Sequence, residues 1–240
     1  MFDTGRVSSL HAAPLPSGPH AVAPASTLIA RDDHLLPTVR ALRPLFPDGG
    51  LRRGSTVNVQ GAGATSLAFA LLAEAHAAGA WCSAVGLDSL GLLAAHHAGV
   101  DLSRLVLVPD PGPDWPTIVA ALLDAFEIVV LRPPGRTSTR LQQRLAARIR
   151  ERDRVMMTLG TDADFGLSPD VRLVGTAGVW EGLGWGFGHL RSRQLQVRAE
   201  GRRLAGRPRH ATVWLPDPDG QVTSTLPRLQ DRPRLAEATA

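Results

Sequence analysis

A glycine-rich turn that could hold a phosphate group gives the clearest chemical signal in the chain. Gly61, Gly63, Thr65 and Ser66 follow a predicted short buried strand over residues 56–60 and precede an Ala/Leu-rich stretch. A strand, a glycine loop and a helix in this order can bind phosphate through backbone N–H groups at the helix N-terminus. The sequence therefore predicts a phosphate-loop scaffold at this turn.

The loop lacks the group that performs nucleotide chemistry. A working loop of the G-x-x-x-x-G-K-[ST] type places a lysine on the β- and γ-phosphates and a hydroxyl on magnesium. The segment is too short for that spacing, and all 26 basic residues of the chain are arginine. A helix N-terminus alone contributes only ~0.3–1 kcal/mol at an exposed site. We therefore expect a vestigial loop with no cofactor and no enzymatic activity. A divergent ATPase with an unorthodox loop is the alternative.

Arginines recur every four residues along a helix predicted over residues 138–152. Residues at this spacing share one helix face, and an apolar stripe beside them is expected to face the sheet. The arginine stripe indicates a surface for phosphates or for an acidic partner. The alternative is a solvated helix face whose arginine stems cover the edge of the core. The stripe consists of Arg136, Arg140, Arg144 and Arg148, with Arg132 ahead of it and Leu141, Leu145 and Ile149 beside it.

A second group of seven arginines lies on a predicted hairpin between residues 191 and 209, and includes Arg202 and Arg203. Residues 132–209 hold 16 arginines against 7 acidic residues, so the excess positive charge is concentrated there. A basic patch of this kind fits nucleic acid or an acidic protein. The hairpin arginines are therefore a further candidate for a partner or nucleic-acid surface.

Three aromatic residues stand in a glycine-rich run just before these arginines. Trp180, Trp185 and Phe187 could stack on nucleic-acid bases, as aromatic platforms do. The interpretation that we favour is structural: Trp180 and Phe187 plug the core beneath a compact loop.

Other catalytic or metal chemistry has no support in the sequence. The eight histidines lack ligand spacing, and the neighbours His96 and His97 point in different directions on a predicted helix. No G-x-S-x-G motif provides a nucleophile for Ser/His/Asp catalysis. The single cysteine, Cys82, falls in a predicted strand and is interpreted as a core thiol without a disulfide partner.

Apolar runs that alternate with helical patterns predict an α/β fold. Continuous apolar strands separated by helices are typical of a mostly parallel sheet with helices on both faces. Three later strands lack intervening helices and predict an antiparallel C-terminal extension. The expected strands are 56–60, 81–86, 104–108, 127–131, 154–159, 171–175, 191–199 and 209–215, and the expected helices are 66–78, 88–98, 115–126 and 138–152.

Local signals refine these elements. Asp88 and Asp114 are predicted helix N-caps, Gly99 lies just past the end of a helix, and Gly201–Gly206 is predicted to be a hairpin turn. An interrupted helical stretch is expected over residues 28–45.

The 240 residues predict one domain with flexible ends. Residues 1–25 are expected to be a disordered arm, residues 26–215 a single α/β domain, and residues 216–240 a flexible tail. No run of 18 apolar residues predicts a membrane span, and no secretory signal is recognisable. These features predict a cytoplasmic protein.

The order of these segments resembles a RecA-type core. Residues 49–57 resemble the turn and first strand that precede the phosphate loop in recombinases, and residues 98–105 resemble the join between a core helix and the next strand. Residues 127–131 occupy the place of the second nucleotide-binding strand. The chain departs from the pattern where Arg132 replaces the expected acid, and Asp88 is a poor counterpart of the acid that polarises water.

Over roughly residues 42–215, the chain is similar to the actinobacterial ImuA-prime proteins, which are degenerate RecA-like proteins. The 106–116 segment and the glycine-rich run at 180–188 contribute to this resemblance. It implies a non-catalytic role in an SOS-induced mutagenic repair assembly. The partners would be ImuB, a catalytically dead relative of Y-family polymerases, and an error-prone replicative-type polymerase. Contact with RecA or directly with DNA stays open, as does a related DNA-binding or recombinase-modulating function.

Overall fold

Helices and strands alternate along most of the computed structural model, which describes residues 34–160, 168–183 and 188–224. The strands are β1 (Leu35–Leu36), β2 (Leu51–Arg52), β3 (Ser55–Gly61), β4 (Cys82–Val85), β5 (Leu105–Val108), β6 (Ile128–Leu131), β7 (Val155–Leu159), β8 (Val171–Leu183), β9 (Gly188–Glu200), β10 (Arg209–Trp214) and β11 (Thr223–Ser224). The helices are α1 (Ala64–Ala77), α2 (Leu92–His97), α3 (Trp115–Ala125) and α4 (Thr139–Glu151).

Nine of these strands form one sheet in the order β11-β10-β9-β8-β3-β7-β6-β4-β5. The strands from β8 to β5 in this order pair in parallel. Strands β8 to β11 pair antiparallel and extend the sheet on its other side. The predicted α/β architecture, a mostly parallel sheet with an antiparallel C-terminal extension, is confirmed.

Helices cover both faces of the parallel strands, and the strand sequences reflect this. In β6, Ile128 and Val130 pack into the core on the side of α1 and α2, whereas Val129 and Leu131 pack with α3 and α4. All four side chains are buried, which explains why β6 is a continuous apolar run rather than an alternating one. Burial of each such side chain stabilises the fold by about 1.5–3 kcal/mol.

Cys82 lies at the start of β4 and is fully buried, as the sequence predicts. Burial, followed by the nearby charge of Glu127, raises the pKa of this thiol well above its usual value. The thiol therefore stays protonated and behaves as a small apolar core group.

The predicted helical stretch over residues 28–45 is wrong within the part that the structure describes. Leu35 and Leu36 form β1, which pairs with β2, and only a short 3-10 turn covers Arg43–Leu45. Pro37 and Pro44 account for the difference, because proline lacks the backbone N–H and disfavours a helical residue before it.

The predicted cap at Asp88 is also wrong. Helix α2 begins at Leu92 with Gly91 at its N-cap, and Asp88 is exposed ahead of it. Asp114 does precede α3 at the N-cap position, but its side chain makes no capping hydrogen bond. Gly99 lies just past α2 with a φ of 89°, as predicted for a helix C-terminus.

The glycine-rich run before the arginines is strand rather than a compact loop. Strand β8 continues to Leu183 and pairs with β9 through most of its length, with irregularities at Gly175/Ala177 and Glu181/Leu183. Trp180 is 42% exposed, so the interpretation that it plugs the core is wrong. Trp185 and Phe187 lie outside the described residues. The aromatic and β-branched residues of this run favour strand pairing enough to offset the glycines.

The folded region extends beyond the boundary predicted at residue 215. The carboxylate of Asp217 accepts hydrogen bonds from the backbone N–H groups of Asp219 and Gln221 at 3.0 and 2.8 Å and from the hydroxyl of Thr223 at 3.2 Å. These bonds hold a turn that leads into β11, which pairs with β10. The predicted arm at 1–25 and the remainder of the predicted tail, 225–240, lie outside the described residues.

Candidate functional site

The glycine-rich loop joins β3 to α1 at the position predicted. Gly61 and Gly63 have φ values of 80° and 68°, a region that favours glycine, and Gly63 is the N-cap of α1. The N–H of Ala62 donates to the carbonyl of Gly175 on β8 at 2.9 Å. Thr65 and Ser66 lie in the first turn of α1, half-buried. The predicted order of strand, glycine turn and helix is therefore present, and the turn is hydrogen-bonded to the neighbouring strand.

Arg193 of β9 lies against this loop. A Cβ atom placed on Gly63 would lie 2.8 Å from Cζ and 2.9 Å from Nη1 of Arg193. The Nε of Arg193 donates to the carbonyl of Leu215 at 3.2 Å. The guanidinium of Arg193 lies over the Trp180 ring, with Cζ 4.9 Å from the ring centroid. The guanidinium therefore occupies the space in front of Gly63, held by β9 and the segment after β10.

The charge of Arg193 is buried. Arg193 is only 9% exposed, and its Nη2 has no hydrogen-bond partner among the described residues. Burial lowers the pKa of this guanidinium from its usual value, because desolvation disfavours the charged form. The loop thus adjoins a fixed cation supplied by a distant strand. The sequence predicts Arg193 on the hairpin, but no sequence pattern indicates its contact with the glycine loop.

Arg132 follows β6 at the edge where the parallel strands end. Its N–H donates to the carbonyl of Val85 at 2.9 Å, and its side chain is exposed. Open α/β sheets bind ligands at this edge. A cation at this position cannot ligate magnesium. Among the residues that the structure describes, no group of three histidine, cysteine or acidic side chains could hold a metal ion.

The predicted arginine stripe is only partly a free surface. Arg136 precedes α4, and Arg140 and Arg144 are exposed on it, while Leu145 and Ile149 are buried beneath. Arg148 instead forms an ion pair with Asp124 of α3, so this member of the stripe is not available to a partner.

Asp124 binds Arg148 of α4 and Arg152, which follows the last residue of that helix. Its Oδ1 lies 3.0 Å from Nε of Arg152, and the hydrogen bond from Arg148, ahead of the other contacts, lowers the pKa of the Asp124 carboxyl. This ion-pair network joins α3 to α4. The arginines that remain available to a partner on this side are Arg132, Arg136, Arg140 and Arg144.

Arg202 and Arg203 lie elsewhere, at the end of the sheet where β3 begins. Arg202 lies 3.0 Å from the carboxylate of Asp170, and Arg203 lies 3.1 Å from that of Asp48. The two arginines line a cavity of about 590 Å³. The structure therefore does not bring them together with Arg132, and the predicted basic surface divides into two.

Three further arginines complete this cavity and were missed by sequence analysis. Arg52, Arg53 and Arg150 line it together with Arg202 and Arg203. The five arginines come from β2 and the turn after it, the end of α4 and the β9–β10 turn, so no local sequence pattern predicts the cluster. The paired Arg52-Arg53 before β3 is its only visible signal in the sequence. A cavity of this composition can bind oxyanions through charge-assisted hydrogen bonds.

Among the helices in the described part of the chain, none is long and apolar enough to cross a bilayer.

Comparison with known proteins identifies relatives of this chain. Residues 44–164 match the family model of the MT3502 N-terminal domain. The uncharacterized protein Rv3395c of Mycobacterium tuberculosis (strain ATCC 25618 / H37Rv) is 35% identical over 154 residues, which amount to 58% of this chain and 71% of that protein. The segment that matches the family model contains the glycine loop, Arg132 and α4.

Proposed function

We propose that this chain, which belongs to the MT3502 N-terminal domain family, is a non-catalytic RecA-like accessory protein of SOS-induced, error-prone translesion DNA synthesis. It acts in the cytoplasm, at the nucleoid after DNA damage, as a protein of the ImuA-prime type. Its partners are ImuB and an error-prone replicative-type polymerase, and RecA is a further candidate. The proposal rests on the resemblance to RecA-type cores, the disabled loop, and surfaces suited to partners.

The disabled loop is the observation that carries the non-catalytic part of the proposal. Phosphoryl transfer needs charge stabilisation by a lysine and by magnesium held on nearby oxygen ligands. The loop contains no lysine, its flanking cation is the buried Arg193, and β6 is followed by Arg132 instead of an acid. A protein that retains this backbone without the chemistry is best explained as a scaffold for partners.

A binding measurement with magnesium and a fluorescent ATP analogue tests this part. We expect no saturable binding at micromolar protein, because a helix N-terminus alone contributes only ~0.3–1 kcal/mol to holding an anion. The alternative, a divergent ATPase, predicts micromolar affinity that Ser66→Ala abolishes. Thr117→Ala, which removes an exposed hydroxyl on α3, is the matched control. Loss of affinity in the first variant but not in the second would contradict the proposal.

Direct DNA binding is the second candidate function, and the five-arginine cavity favours it. Ion pairs are present for Arg52, Arg202 and Arg203. Among the described residues, neither Arg53 nor Arg150 forms an ion pair. The cavity therefore keeps an excess of positive charge. If the protein binds DNA by itself, affinity for single-stranded DNA should fall steeply with salt as counterions are released.

A further inference from the structure

A groove lies between the β8–β9 hairpin, the helices α1 and α2, and the segment that follows β10. It has a volume of about 760 Å³ and is referred to below as the hairpin groove. Its lining is largely apolar. Its larger apolar side chains are Phe69, Trp180, Leu190, Leu215 and Val222.

Large apolar side chains at the hairpin groove are open to solvent. Trp180 is 42% exposed and Leu190 is 48% exposed. Contiguous apolar surface of this kind on a folded protein marks a place where another molecule binds. The guanidinium of Arg193 packs over the Trp180 ring, which favours this orientation of the ring.

The charge around the hairpin groove is positive. Arg191 lines it and is exposed. Arg193 is buried behind Trp180, which lines the hairpin groove, and a buried charge acts through a low dielectric. The N-terminus of α1, which carries a partial positive charge, reaches it at Ser66.

Acidic groups are scarce at the hairpin groove. Among the described residues no carboxylate lines it. Asp217 is close in sequence, but its carboxylate is committed to the turn before β11, and Asp219 is exposed in that turn between Pro218 and Gly220. The hairpin groove therefore combines an apolar floor with a cationic rim.

We propose that the hairpin groove binds a segment of a partner protein in which aspartate or glutamate alternates with large apolar residues. The apolar side chains would cover Trp180 and Leu190, and a carboxylate would pair with Arg191. The identification of the occupant as part of a partner rests on the proposed adaptor function, whereas the binding chemistry rests on the groove itself. Electrostatic complementarity of this kind selects a partner and speeds its association.

Two other occupants fit the hairpin groove less well. The chain's own residues 225–240 hold three arginines against two acids, which is the wrong sign for a cationic rim. Single-stranded nucleic acid could stack a base on Trp180, but it offers no apolar side chain for Leu190.

Fluorescence anisotropy of a short labelled peptide in which leucine and aspartate alternate tests the proposal on the full-length protein. We expect saturable binding that weakens by about tenfold or more in Leu190→Ser and in Arg191→Glu. The matched controls are Leu93→Ser, which changes a still more exposed leucine of α2 outside the groove, and Arg40→Glu, which reverses an exposed arginine outside the groove. Both controls should bind the peptide as the unaltered protein does.

Several results would overturn the proposal. These are the absence of saturable binding, equal binding of a peptide with lysine in place of aspartate, or equal losses in the groove and control variants. Displacement of the peptide by a single-stranded oligonucleotide would assign the groove to nucleic acid. Tighter peptide binding after Leu226→Ser with Leu229→Ser would assign it to the chain's own tail. The protein could also bind the peptide and yet be dispensable for damage-induced mutagenesis. That result would refute the proposed function but not the proposed binding at the hairpin groove.

Discussion

Replacing Gly175 with alanine should destabilise the protein by about 3 kcal/mol, a large share of the stability of a domain of this size. Gly175 of β8 pairs with Gly61 of β3 at the point where the glycine loop begins. A Cβ atom on Gly175 would overlap the carbonyl oxygen of Ala62 and lie 2.9 Å from its carbonyl carbon.

The overlap at Gly175 cannot be relieved by a side-chain rotation, because the atoms in its way belong to the backbone. Moving them would break the 2.9 Å hydrogen bond from the N–H of Ala62 to the carbonyl of Gly175. Urea unfolding followed by tryptophan fluorescence measures the loss. Gly135→Ala is the control, since nothing lies within 4 Å of a Cβ there and its free energy of unfolding should change little. Equal stabilities for the two variants would contradict the close approach of β3 and β8.

Reversing two exposed arginines of α4, Arg140→Glu with Arg144→Glu, should abolish damage-induced mutagenesis while the fold stays intact. Both side chains point away from the core face formed by Leu145 and Ile149. Surface changes away from caps and core usually alter stability by less than about 0.5 kcal/mol. At a docking site, the introduced glutamates would face like charges on the partner. This weakens the binding free energy by several kcal/mol, on the order of several times the effect on stability.

The matched control for the α4 variant is Arg40→Glu with Arg207→Glu. These two arginines are also exposed, and they lie outside both arginine surfaces and the hairpin groove. Mutation frequency after DNA damage is measured in a strain that carries each variant as its only copy, alongside the melting temperature of the purified protein. If the α4 variant is well folded and mutagenesis is normal, the arginine stripe is a solvated helix face and not a docking surface.

The sheet was predictable because its strands are marked by local pattern. Strands β6 and β7 are largely apolar runs, β3 alternates valine with polar residues ahead of a glycine turn, and the helices between them carry apolar faces. The hairpin of β8 and β9 was predicted too short, since glycines around Trp180 resemble a loop until cross-strand pairing is known. The early helix failed for a local reason, the prolines at 37 and 44.

The candidate sites were less predictable, because they depend on contacts between distant residues. The loop residues Gly61 and Gly63 were located from the local motif alone. The position of Arg193 against that loop follows from the register of β9 with β8 and from the hydrogen bond to Leu215, neither of which has a sequence signature. The same holds for the ion pair between Arg148 and Asp124, which joins two helices.

The most direct test of the adaptor function is recovery of partners with the tagged, full-length chain from DNA-damaged cells. We predict that a catalytically dead Y-family relative and an error-prone replicative-type polymerase are recovered with the unaltered chain and with the Arg40→Glu, Arg207→Glu control. Recovery of at least one of them should fail with the Arg140→Glu, Arg144→Glu variant. Abundant, folded chain that brings down neither polymerase-related protein from damaged cells would contradict the account.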